Sequence, residues 1–173
     1  MTSQYEQLAA KVDAFHDRVT DAHPGALTCH SGCSRCCEVH LSVLPLEFER
    51  IEAAVLLLSA EERESIAARV AAGKQDARCP LLDDAGRCRV YEARPMICRS
   101  HGLPIQVGEP PVWDVCPLNF PDGPDLATLD PDTVMNVETV NFILGMMTRV
   151  RGEDPLARVD LYEGLAKTLQ AAR

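Results

Sequence analysis

Eight cysteines, four of them crowded into residues 29–37, constrain this chain more than any other feature of its sequence. They fall as Cys29-x3-Cys33-x2-Cys36-Cys37, followed by Cys79, Cys88, Cys98 and Cys116. Thiolates two to four residues apart can converge on one ion, because a tight loop turns their side chains inward. Soft sulfur ligands select zinc, iron or iron–sulfur clusters over magnesium and calcium. The alternative is that some are small buried apolar residues, since free cysteine is among the most buried residue types. For a cluster this dense the metal reading prevails, and the expected ligands are Cys29, Cys33, Cys36, Cys37, Cys79, Cys88, Cys98 and Cys116.

The compartment decides between metal and disulfides. The N-terminal residues have neither a basic region nor an apolar stretch of the secretory type, so a cytoplasmic chain with reduced thiols is expected. A secreted chain whose leader had been removed would revive the disulfide reading. The longest strongly apolar runs, Ala53–Leu58 and Phe142–Met147, are far short of a membrane span. With 17 basic against 26 acidic residues, a net charge of −9 and three lysines, the chain lacks the basic face that phosphates require. Neither nucleic acid nor an anionic membrane surface is expected as a partner. The expected partners are a metal ion or cluster and a protein redox partner.

The 173 residues are expected to form a single domain over 1–173, with a cysteine-cluster core at 29–116 and a C-terminal helical segment at 134–173. Residues 4–22 read as an amphipathic helix, with Tyr5, Leu8, Val12, Phe15 and Val19 at three- and four-residue steps, ended by His23-Pro24-Gly25. Pro45 opens a second helix carrying Phe48, Ile51, Val55 and Leu58 on one face. Ser59 with Glu62 forms a capping box for a third helix, to about Ala72, where Gly73 stops it. Residues 79–91 read as two short strands around an Asp-Asp-Ala-Gly turn, with Tyr91 a core or hairpin residue. Residues 100–133 are rich in Pro and Gly and show no period. A helix over 134–150 has Val137, Val140, Leu144, Met147 and Val150 as its buried stripe. Asp154-Pro155 is the expected start of a last helix running through about Ala171. The fold class is mainly α with a short β-hairpin, helices flanking a loop-rich, metal-stapled cysteine centre.

Taken together, the Cys29–Cys37 cluster, Cys79-Pro80-Leu81-Leu82 and Cys88-x2-Tyr91-x2-Arg94-Pro95-x2-Cys98-Arg99 resemble the YkgJ-type cysteine cluster family. The resemblance spans roughly residues 29–116, and its two separated signatures occur in the family's order. Many members have two residues between the first two cysteines, whereas this chain has three. The resemblance implies a zinc- or iron-chelating domain, often labelled an iron–sulfur protein, and names no reaction. Cys29-x3-Cys33-x2-Cys36 also has the spacing of the radical-SAM cluster motif. That chemistry is housed in a large βα barrel, which the helical continuation and the chain length exclude.

Other side chains enter as supporting candidates. Arg94 and Arg99 flank Cys98, and four thiolates on a divalent ion leave a net negative charge that guanidinium groups offset. Their alternative is pairing with surface acids such as Glu92. His30, His40 and His101 lie near the cysteines and could each replace one as a ligand, but are expected to be bystanders. Trp113 is expected to cover the site, and Met146-Met147 to belong to a helix core. No phosphate-binding loop, nucleophile elbow or His-Glu-x-x-His helix is present. The leading function is a metal-binding protein holding an iron–sulfur cluster or iron, in electron transfer or in support of a redox or modifying reaction. Zinc in a structural, protein-binding module is the alternative. An Fe–S oxidoreductase and an accessory protein are both compatible with this set. The eight cysteines are expected to serve two centres or one multinuclear centre, and, because adjacent side chains diverge on helices and strands, the Cys36-Cys37 pair is expected to be divided. One would join Cys29 and Cys33, the other ligands from among Cys79, Cys88, Cys98 and Cys116.

Overall fold

The computed structural model describes residues 3–74, 78–121, 123 and 125–172. Residues 122 and 124, within the stretch that shows no period, lie outside the described residues. About 52% of the described residues are helical, 3-10 turns included, with six α-helices and a few short strands among them. The chain divides into two compact units, each built from two separated stretches. Unit 1 comprises Met1–His30 and Met96–Pro155; unit 2 comprises Ser31–Pro95 and Leu156–Arg173.

Unit 1 rests on α1 (Gln4–Ala22), which buries Tyr5, Leu8, Val12, Phe15 and Val19 at the expected helical steps. Ser3 caps it: the hydroxyl accepts from the Glu6 amide while the Glu6 carboxylate accepts from the Ser3 amide. α1 packs on α4 (Met96–Ser100) and α5 (Val137–Val150). Asp13 on α1 accepts from Arg99 on α4 at 2.8 Å, and the Arg99 side chain is only 6% exposed. Three short strands complete the unit, in the order β3-β2-β4. β2 (Ile105–Val107) runs antiparallel to β3 (Val112–Asp114) and parallel to β4 (Met135–Asn136). This hairpin lies in a stretch whose sequence carries no period, because three-residue strands are too short to show alternation. On α5 the buried positions are Leu144 and Thr148, whereas Val150, expected in the stripe, is 79% exposed at the helix end.

Unit 2 buries the larger apolar cluster: Val43, Phe48, Ile51, Val55, Ile66, Leu81, Val90, Leu161, Leu165 and Leu169. These come from α2 (Pro45–Leu56), α3 (Ala60–Ala72), α6 (Leu161–Ala171) and the connecting segments. Pro45 occupies the first turn of α2, and the Ser59–Glu62 capping box opens α3 as the sequence indicates. The last helix begins later than expected, at Leu161 rather than at Asp154-Pro155. Val159 and Asp160 instead form β5 and pair with β1 (Ser42–Val43). Asp160 then caps the helix, its carboxylate accepting from the Tyr162 and Glu163 amides. The β1–β5 pairing holds Val159 and Asp160 extended, so the helix starts after Asp160 and not at Asp154-Pro155.

Gly164 sits where α6 crosses α2, and a methyl group there would fall onto the Phe48 ring and within 2.9 Å of Val159. Gly164→Ala is expected to destabilise the protein although alanine is the better helix former by ~1 kcal/mol, because overpacking costs ~1–3 kcal/mol. A chemical-denaturation midpoint at or above wild type would contradict this.

Candidate metal centre

Five of the eight cysteines belong to unit 2 (Cys33, Cys36, Cys37, Cys79 and Cys88), and three to unit 1 (Cys29, Cys98 and Cys116). All eight are free thiols. In unit 2 the first ligand-bearing element is a loop that closes in a single 3-10 turn, Arg35–Cys37, in which the Cys37 amide donates to the Ser34 carbonyl at 2.8 Å. This tight turn brings the Cys36 and Cys37 sulfurs to 4.0 Å from each other. The divergence expected of neighbouring side chains does not occur, since the turn is neither α-helix nor strand.

The second element is the hairpin-like segment 79–90. It has one antiparallel bridge, Leu82 to Cys88, reinforced by Asp83 N–H to Arg87 O and Arg89 N–H to Leu81 O. Asp83 ties the tip: one carboxylate oxygen accepts from the Ala85 and Arg87 amides, the other from the Arg87 guanidinium. The two elements are joined at two points. The Cys79 amide donates to the Cys37 carbonyl at 2.7 Å. Gly86, at φ +76°, packs so closely that a methyl group there would lie 2.7 Å from the Gly32 carbonyl oxygen. Glycine is required at this contact both for space and for its backbone conformation. From the other side, the Tyr162 hydroxyl on α6 donates to the Arg78 carbonyl at 2.7 Å, fixing the backbone just before Cys79. Cys79 and Cys88 both pack against the apolar cluster.

The electrostatics connect the same residues. The Cys36 thiol is raised far above the ordinary range, chiefly by its hydrogen bond with Cys37 and then by burial. Burial pushes Cys79 up to about 11, with the Cys88 and Cys36 charges adding to it. Burial also raises Cys88. Against these act the Leu81 amide at Cys79 and the Val90 amide at Cys88, each two residues beyond its sulfur. Backbone N–H groups placed this way favour the thiolate and carry over to a metal-bound sulfur. Arg94 lowers both Cys36 and Cys88. Its guanidinium lies over the Tyr91 ring at 3.4 Å from the centroid and donates to the Tyr91 carbonyl. Tyr91 is thus not a core or hairpin residue: it is 53% exposed in a 3-10 turn and serves as the platform for Arg94.

Among the described residues no three Cys, His, Asp or Glu side chains are already gathered to hold an ion. The donor set nevertheless fits one. Metal–sulfur bonds of ~2.3 Å in tetrahedral geometry place two sulfurs ~3.8 Å apart, close to the Cys36–Cys37 spacing of 4.0 Å.

The remaining candidates lie as follows. Arg99 is in unit 1 against Asp13. His30 is hydrogen-bonded to the Thr28 carbonyl, His40 meets the Tyr162 ring edge-on and His101 is exposed. Trp113 is on β3, partly exposed. In unit 1 the Cys29 sulfur accepts from the buried Asn119 amide at 3.6 Å, a partner with no motif to announce it in the sequence. The Gly32–Gly86 contact was likewise missed, although an Asp-x-x-Gly turn between two cysteines carries the signal.

Residues 28–111 match the CxxCxxCC family, described as a "putative zinc- or iron-chelating domain". The match covers a little under half of the chain. It takes in seven of the cysteines, Cys29 to Cys98, and leaves Cys116 beyond its end. The metal-binding reading of the cysteines therefore has the family's support. Comparison with curated proteins and with solved structures gave no match. No helix among the described residues is long and apolar enough to cross a membrane.

The raised thiols make the metal-free protein sensitive to alkali. Cys36, Cys79 and Cys88 all have folded values above the ordinary thiol value near 9, so folding favours their protonated forms. That stabilisation is complete below pH ~9 and is lost as pH rises toward the Cys79 value of about 11. The denaturation midpoint of metal-free protein is expected to fall between pH 8 and pH 10.5, while metal affinity rises because binding releases thiol protons. A metal-free midpoint that climbs over this range would contradict the assignment.

Proposed function

We propose that Cys36, Cys37, Cys79 and Cys88 form one tetrathiolate metal centre, and that the CxxCxxCC domain works through iron held there, mononuclear or as a small iron–sulfur cluster. The supporting observation is the 4.0 Å spacing of the Cys36 and Cys37 sulfurs, which suits two thiolates on one ion. A cubane cluster takes one thiolate per iron and fits this pair less well than a mononuclear or two-iron centre. Cys33, in the same loop, is the remaining thiolate of unit 2. When bound, iron supplies one-electron redox chemistry. The protein's own groups set its environment: Arg94 offsets the excess negative charge, the Leu81 and Val90 amides donate to sulfur, and the apolar cluster shields Cys79 and Cys88. Cys36 reaches the surface, which suits exchange of electrons with a protein partner in a reducing, cytoplasmic setting.

Structural zinc is the second reading. It is favoured by the nature of the ligand-bearing elements, two irregular segments cross-linked by one hydrogen bond and one glycine contact, and by a closed four-thiolate set with no open position. One measurement separates the two. Protein purified without oxygen from iron-replete cells is expected to absorb in the visible and to contain iron, with or without acid-labile sulfide. A colourless protein containing only zinc would overturn the iron reading and leave the zinc one.

A further inference from the structure

Helix α5 leaves an apolar stripe uncovered. It packs on α1 and β2, and of its residues Leu144 and Thr148 are buried. Phe142, Met146 and Val150 are exposed by 68%, 42% and 79%. Standing four residues apart, they line one face of the helix. Met146, expected in a helix core, lies in the middle of that face. Exposed apolar residues scattered singly are ordinary, whereas a contiguous stripe rimmed by charge marks an interaction surface.

The rim consists of Glu138 in the first turn and Arg149 in the last. At about 100° per residue, both fall about 60–80° to the same side of Met146. Both are exposed, and among the described residues no hydrogen bond or ion pair engages the Glu138 carboxylate or the Arg149 guanidinium.

The order of these residues along the helix selects the occupant. A two-fold axis that sets Phe142 against Met146 of a second copy crosses α5 at Leu144. An axis that sets Glu138 against Arg149 of the second copy crosses it between Ile143 and Leu144. The two positions differ by half a residue, about 0.75 Å of helix rise. One antiparallel docking of α5 on α5 therefore closes the stripe on itself and makes both charge pairs, along the same edge of the contact. A parallel docking would put identical residues at each level and leave all four charges without a counter-ion. Such self-complementarity is what an isologous dimer requires.

We propose that α5 is the contact surface of a symmetric dimer of this chain. Two α5 helices pack antiparallel through Phe142 and Met146, Val150 extends the apolar contact at either end, and two Glu138–Arg149 pairs fix the register. A contact between single 14-residue helices is at the small end of specific interfaces, so the dimer is reversible, with a dissociation constant on the order of 10 µM. It is independent of which metal the cysteines hold.

The test is sedimentation equilibrium of the full-length protein, purified with its metal, over about 1–300 µM, a range that brackets this affinity. Wild type is expected to pass from monomer to dimer. Phe142→Glu, at an exposed position, should stay monomeric with an unchanged helical circular dichroism signal. Glu138→Arg and Arg149→Glu should each weaken the dimer about tenfold, since either substitution sets like charges against each other at both pairs. Mixing these two variants should recover assembly, because in the mixed dimer one pair joins the two introduced charges and the other the two native ones. Wild type that is monomeric throughout the range overturns the proposal and leaves the stripe to a different protein partner. A dimer that survives Phe142→Glu, or a mixture that assembles no more tightly than either variant alone, overturns it as well.

Discussion

Serine at Cys36 and serine at Cys37 are each expected to remove the same metal centre. The two sulfurs lie 4.0 Å apart, so a single ion bonded to one is within reach of the other. Each substitution takes one of four thiolates from a site whose total binding energy is ~10–16 kcal/mol, a loss on the order of 3 kcal/mol and about a hundredfold in affinity. Both variants should therefore show the same missing absorption bands and the same missing metal, and the double variant should be little worse than either single one. The sequence alone suggested the opposite, a pair divided between centres. Metal losses that add up, with different bands affected in the two single variants, would restore the divided pair.

Removing the metal is expected to loosen residues 31–37 and 79–90 while α2, α3 and α6 keep their structure. The helices of unit 2 share the Phe48–Ile51–Leu165 cluster and stand on apolar burial. The cysteine loop and the 79–90 segment are irregular, held by a 3-10 turn, short-range turn hydrogen bonds, the Asp83 contacts and the Cys79–Cys37 hydrogen bond. A tetrathiolate site contributing about 10 kcal/mol is as large as many such bonds together at ~1 kcal/mol each. Amide exchange is the direct measurement. Protection across 79–90 should fall by orders of magnitude in metal-free protein, with α6 amides changed far less. Equal protection in both forms would mean that the apolar contacts of Leu81 and Val90 are sufficient by themselves.

Much of the helical framework is legible in the sequence because its signals are local. The α1 stripe, Pro45 at the first turn of α2, the Ser59–Glu62 capping box and Gly73 after α3 all act within a few residues, and each is found where the pattern puts it. The errors arise where a distant segment intervenes. Asp154-Pro155 has the chemistry of a helix start, yet pairing of Val159-Asp160 with Ser42-Val43 moves the start to Leu161. The β2–β3 hairpin has strands too short to display a period, and β4 supports it from later in the chain. Tyr91 looks like a strand residue by type but lies exposed under the Arg94 guanidinium.

The site divides in the same way. The number and spacing of the cysteines determine by themselves that the chain offers soft, thiolate donors, and the CxxCxxCC match takes in seven of them. Which sulfurs stand together is a property of the tertiary structure. A 3-10 turn draws Cys36 and Cys37 to one side, the Gly32–Gly86 contact presses their loop onto the 79–90 segment, and α6 anchors the backbone before Cys79 through Tyr162. In the other unit Cys29 and Cys116 each approach Gly102, beside an asparagine that no sequence motif marks. Ligand type is a matter of covalent chemistry and is written residue by residue. Ligand grouping depends on distances between segments far apart in the chain, and only packing and hydrogen bonding between those segments fix them.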